Sequence, residues 1–160
     1  MSKQKPQPQP AHQCASDRWL SLSSDTIPLK SSALPSQPED FEVEFLEGVI
    51  SGNPCDEDSL ILLGHLYTRR GELRKGLEMD RRLSRLRPND PNVFYNLACS
   101  HSLLSQLDEA FGALERAVKL GYRDLDHLMS DPDMERVRTD VRFESFCRRM
   151  KLLSGSGPNS

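Results

Sequence analysis

The chain has 160 residues, with 36% hydrophobic and 28% charged residues and a formal net charge of −3. That length suffices for one domain with a core, and the charge gives no global electrostatic case for nucleic acid. No apolar run approaches the about 18 residues that a spanning helix needs, and the N-terminal MSKQKPQPQP lacks the apolar stretch of a secretory signal. A protein that stays in the cytoplasm is the resulting expectation.

Residues 1–38 read as a disordered tail. They hold six of the eleven prolines, glutamines interleaved with proline, and a serine-rich run, so burial would not offset the entropy of ordering them. Within it, Trp19-Leu20-Ser21-Leu22 is a candidate docking motif and Pro35-Ser36-Gln37-Pro38 formally matches PxxP. His12 and Cys14 make only a two-ligand fragment, and no metal or other cofactor is expected. The four cysteines, Cys14, Cys55, Cys99 and Cys147, form no CxxC and are expected as free thiols.

The folded part begins at residue 39. Asp40 is a candidate helix cap, and Phe41, Phe45, Leu46, Val49 and Ile50 follow at helical spacing, up to a stop at Gly52-Asn53-Pro54. The chain then repeats itself. An offset of 34 residues carries Leu60 onto Phe94, Leu63-Gly64 onto Leu97-Ala98, Tyr67 onto His101, Leu73 onto Leu107, Gly76 onto Ala110 and Leu83 onto Ala117. A sustained period of this length marks an array of helical hairpins that must stack to bury their apolar faces. Helices are predicted over 57–70, 72–86, 91–104 and 107–120, with Gly76 and Ala110 small where the helices of a hairpin cross. The helix over 39–52 occupies a second-helix position and is a half-repeat. Gly121 is a helix stop; short helices after Asp124 and Asp131-Pro132, and a last one after Thr139 or Asp140, form a cap over 121–153. Residues 154–160 form a flexible tail.

The pattern Leu60-x-x-Leu63-Gly64-x-x-Tyr67-x-x-x-Gly71-x4-Gly76, followed by Pro88, resembles the tetratricopeptide repeat (TPR) family. Phe94-x-x-Leu97-Ala98 with Ala110-x6-Ala117 resembles a second unit. His101, Ser105 and Tyr122 stand where that family usually has Tyr, Gly and Pro, and Asp80 takes a position normally apolar. The resemblance implies an all-α, right-handed helical-hairpin solenoid of one half and two full repeats with a C-terminal helical cap. It also implies a non-catalytic scaffold, an adaptor or co-chaperone-like module, whose partner is a protein or peptide segment on the concave face. That face would comprise Asp58, Ile61, His65 and Arg69 in the first unit and Asn92, Tyr95, Asn96, Cys99 and Leu103 in the second. Asn96 matches one Asn of the family's carboxylate clamp, but Ile61 and His65 stand where Lys and Asn are needed, so a chain-end carboxylate finds too few donors. A buried Asp80–Asn96 contact is expected instead.

Two other classes bear on the same residues. The basic run Arg69, Arg70, Arg74, Lys75, Arg81, Arg82, Arg85 and Arg87 reads first as a solvated face. Its sharper reading is a basic patch, Arg74, Arg81, Arg82 and Arg85, serving an acidic partner or, with the array ends, homo-oligomer or structural-subunit assembly. No aromatics interleave there to stack RNA bases. Enzymatic chemistry is not expected: the histidines are scattered, no Gly-rich loop, HExxH or GxSxG occurs, and a Cys99/His65 pair has no orienting third residue.

Overall fold

A computed structural model describes residues 38–155, all within one compact unit, Gln37–Ser160. The Trp19 motif, the PxxP match, His12 and Cys14 lie outside the described residues, as do residues 156–160. Within them the chain is helical, without strands: α1 Pro38–Gly52, α2 Glu57–Arg69, α3 Leu73–Leu86, α4 Pro91–Leu103, α5 Leu107–Leu120, α6 Leu125–Ser130, a 3-10 turn Pro132–Met134, α7 Glu135–Arg138 and α8 Phe143–Gly155. No helix among the described residues is long and apolar enough to cross a membrane.

The ends of these helices follow from local chemistry. The Asp56 carboxylate accepts from the Ser59 amide at 3.0 Å and opens α2; Asp90 accepts from the Asn92 amide at 2.9 Å and opens α4, with Pro91 in the first turn. Gly71, at φ 75°, and Gly121, at φ 113°, supply the left-handed turns after α2 and α5. Ser105 takes the same conformation at φ 61°, so the second hairpin turns without the expected glycine.

Each helix from α1 to α5 packs on its neighbour in sequence. One apolar cluster joins α1, α2 and α3 through Val43, Leu46, Leu60, Leu63, Leu66, Tyr67, Met79 and Leu83, and Val93 of α4 closes it. Burying a leucine such as Leu60 or Leu63 stabilises by about 2 kcal/mol. A second cluster joins α4 and α5 to everything that follows, through Tyr95, Phe111, Leu114, Val118, Tyr122, Leu128, Met134, Val137, Phe146 and Met150. Gly76 sits where α3 crosses α2. A Cβ there would meet Thr68 Oγ1 at 2.8 Å and the Gly64 carbonyl at 3.3 Å, so the crossing requires a residue without one.

Three expectations are corrected. α1 starts at Pro38 rather than after Asp40. Phe41 and Phe45 are 62% and 61% exposed, because among the described helices only α2 packs closely along α1, and it covers the stripe of Val43, Leu46 and Ile50. Cys99 and Cys147 are free thiols, whereas Cys55, in the turn after Pro54, is disulfide-bonded.

Candidate functional site

α2 turns its outward face through Asp58, Leu62, His65 and Arg69, which are spaced one turn apart and all exposed. Ile61, expected on this face, instead packs half-buried against the core beside Ile50 and Leu86. Leu62 takes its place, 53% exposed. The 34-residue offset maps this stripe onto Asn92, Asn96, Cys99 and Leu103 of α4. The two stripes meet different fates: that of α2 is open, and that of α4 is largely covered by the segment following α6.

The covering contact centres on Asp131. Its Oδ2 accepts from the Tyr95 hydroxyl at 2.7 Å and lies 3.6 Å from Cys99 Sγ and from His127 Nε2, while its Oδ1 accepts from the Asp133 amide at 2.9 Å. The Tyr95 ring stacks on Tyr122, centroids 4.5 Å apart and 14° between planes, and His127 lies tilted at 5.1 Å on Tyr95. Arg136 donates to the Leu103 carbonyl at 3.0 Å and to the Ser105 hydroxyl, and Arg138 donates to the Asp131 carbonyl. Tyr95 and Cys99 are therefore buried, against their expected role as open groove residues, and Leu103 is half-buried. Burial, reinforced by the Asp131 and Asp133 carboxylates, pushes the Cys99 thiol far above its ordinary range. That is the reverse of what an activated nucleophile needs.

What stays open on α4 is its N-terminal edge. Asn92 and Asn96 line a cleft of ≈ 430 Å³ with Pro91, Tyr95, Gly121, Tyr122, Arg123, Asp124 and His127. Arg123 is tied to the end of α5, donating to the Val118 and Tyr122 carbonyls at 2.7 Å each. The Tyr122 hydroxyl is buried without a hydrogen-bond partner among the described residues, and burial raises its pKa to about 12.

Asp80 of α3 lies half-buried under this face. The Ser100 hydroxyl of α4 donates to it, so its partner is Ser100, one turn beyond the expected Asn96. Burial raises the Asp80 pKa to about 6, against the opposing pull of Ser100 and of His65. His101 is buried, its Nδ1 2.8 Å from Gln106 Oε1.

The basic run is largely consumed internally. Arg69 pairs with Glu39 at 3.0 Å, Arg70 with Asp40 and Glu72, Lys75 with Glu72, Arg85 with Glu78 and Arg87 with Glu57. Arg82 donates to the Pro54 carbonyl at 2.6 Å. Arg74 and Arg81 alone of the eight make no such contact among the described residues. These pairs join α3 and α2 to α1 and to the loops, so the run works chiefly as a set of ties between helices.

Sequence reasoning missed Leu62, Tyr122, His127 and Asp131 as members of the site. Leu62 was within reach, since it stands 34 residues before Asn96; the other three lie beyond the repeats, where no period marks them.

No protein-family model matches the chain. Over 89 residues it is 33% identical to a curated chloroplastic protein of Arabidopsis thaliana. The match covers 54% of this chain and 27% of that protein, so the chain spans little more than a quarter of the relative's length.

Proposed function

We propose that the chain is a TPR-like helical-hairpin solenoid acting as a non-catalytic scaffold, and that it holds a polypeptide segment against the open stripe of α2 and the Asn92/Asn96 edge of α4. The observation that carries this reading is the pairing of the two stripes. Asp58, Leu62, His65 and Arg69 repeat as Asn92, Asn96, Cys99 and Leu103, and the first set is exposed without a covering element among the described residues. A leucine at 53% exposure between an imidazole and a carboxylate offers apolar area with polar groups on either side, the composition of a modest peptide-docking surface. Assembly through the array ends is a second reading, favoured by the exposed phenylalanines of α1. The relative's chloroplastic location is that protein's own; a cytoplasmic placement of this chain rests on its sequence alone.

The test is site-specific photo-crosslinking. A crosslinker at position 62 is expected to capture a partner that one at Arg81 on α3 does not. Leu62→Glu combined with His65→Ala is expected to weaken binding of that partner at least about tenfold. Equal capture from both positions would sink the reading.

A further inference from the structure

α1 lacks, among the described residues, what α3 and α5 each possess, a preceding helix packed along it. The 34-residue offset carries Phe45 onto Met79 and then onto Ala113, which are 7% and 8% exposed. Met79 is covered because α2 passes over it: a Cβ on Gly64 would sit 3.4 Å from Met79 Cβ. Phe45 presents the corresponding side of α1 to solvent, and Phe41, one turn earlier, does the same. Both point away from the Val43 and Leu46 side that meets α2.

Charge says what kind of helix fits. α1 carries Glu39, Asp40, Glu42, Glu44 and Glu47 and no basic residue. Glu39 and Asp40 pair with Arg69 and Arg70, and Glu47 accepts from the Tyr67 hydroxyl, all toward α2. Glu42 and Glu44 make no ion pair among the described residues and flank the two phenylalanines on either side. Glu42 stands at the register position of Gly76, the point of closest approach in the α2–α3 crossing. A neutral helix seated there would bury a carboxylate without a partner, which is costly; a lysine or arginine opposite it removes that cost. A two-fold pairing of α1 with the α1 of a second copy would set five acids against five, with like charges facing across the contact.

We propose that this face of α1 receives an amphipathic helix from a partner protein, with its apolar ridge on Phe41 and Phe45 and basic side chains beside Glu42 and Glu44. The surface is distinct from the α2 stripe, and the proposal does not depend on that groove being used.

The experiment uses the full chain and two synthetic, fluorescein-labelled helical peptides. One carries leucines on one face and lysines on both flanks; its twin has glutamate in place of each lysine. Fluorescence anisotropy is expected to show saturable binding of the lysine peptide, at least about tenfold weaker for the glutamate twin. Two double variants, Phe41→Ser with Phe45→Ser and Glu42→Gln with Glu44→Gln, are each expected to weaken lysine-peptide binding by a similar factor. The substituted side chains are exposed, so unchanged far-UV spectra are expected to accompany the loss. Absence of saturable binding, equal binding of the twins, or full binding by the serine variant overturns the proposal. So does light scattering that finds a dimer dissolved by the serine substitutions, since a second copy would then hold the face.

Discussion

Asp80 sits in a position that the repeat normally fills with an apolar side chain, and its carboxyl titrates accordingly. In the unfolded chain an aspartate loses its proton near pH 4; here burial raises that value to about 6. Between the two values the folded state holds more protons than the unfolded state. The contribution of Asp80 is therefore fully present below about pH 4, declines as pH rises toward 6, and is absent above it. Asp80→Asn keeps an acceptor for Ser100 and has no proton to lose. It is expected to be more stable than the wild-type chain at pH 7 by on the order of 2 kcal/mol, with the difference vanishing near pH 4. Urea midpoints at pH 4, 5, 6 and 7 check this; parallel pH profiles for the two chains would refute it. The position of Asp80 was legible in the period, but its partner was not. Asn96 and Ser100 lie one turn apart on the same helix, and spacing alone does not choose between an amide and a hydroxyl.

At the scale of elements, α2 and α4 are the same helix put to different uses. The periodicity located both to within a residue at each end, because alternating apolar and polar residues define a face. It failed inside Leu60-Ile61-Leu62-Leu63, where four consecutive apolar residues leave nothing to mark which side is wet. The covering of α4 by the Asp131 turn was invisible for another reason: Tyr95 and Asp131 are 36 residues apart, and only tertiary packing joins them. Tyr95→Phe removes one donor from a carboxylate whose side chain is only 12% exposed. It is expected to cost about 1–2 kcal/mol and to speed hydrogen exchange over residues 125–138 more than over α2 and α3. Uniform exchange across both regions would mean that the contact does not hold the segment down.

For the whole molecule, the two clusters are unequal in what they depend on. The α1–α3 cluster is built almost entirely within the hairpin and the half-repeat. The α4–α5 cluster takes Tyr122, Leu128, Met134, Val137, Phe143, Phe146 and Met150 from the C-terminal segment. Truncation after Leu120 is therefore expected to leave Phe111, Leu114 and Val118 uncovered and to yield a chain that binds the dye ANS, with helical far-UV signal but a broad unfolding transition. A sharp, wild-type-like transition in the truncated chain would show the segment to be an ornament. That a cap exists was readable from the aspartate-proline punctuation after Gly121; that it supplies much of a core was not, because its apolar residues follow no single period.

The order of contacts along the chain also sets an order in time. The turns between α2 and α3 and between α4 and α5 span only residues 70–72 and 104–106, so each hairpin closes a very short loop. Bringing Asp131 back to Tyr95 closes a loop of 36 residues, and the extra chain entropy costs about 2 kcal/mol more. The hairpins thus assemble as near-neighbour events, and the C-terminal segment arrives on a surface already formed. For that interval Tyr95 and Cys99 stand uncovered, as Leu62 and His65 remain throughout.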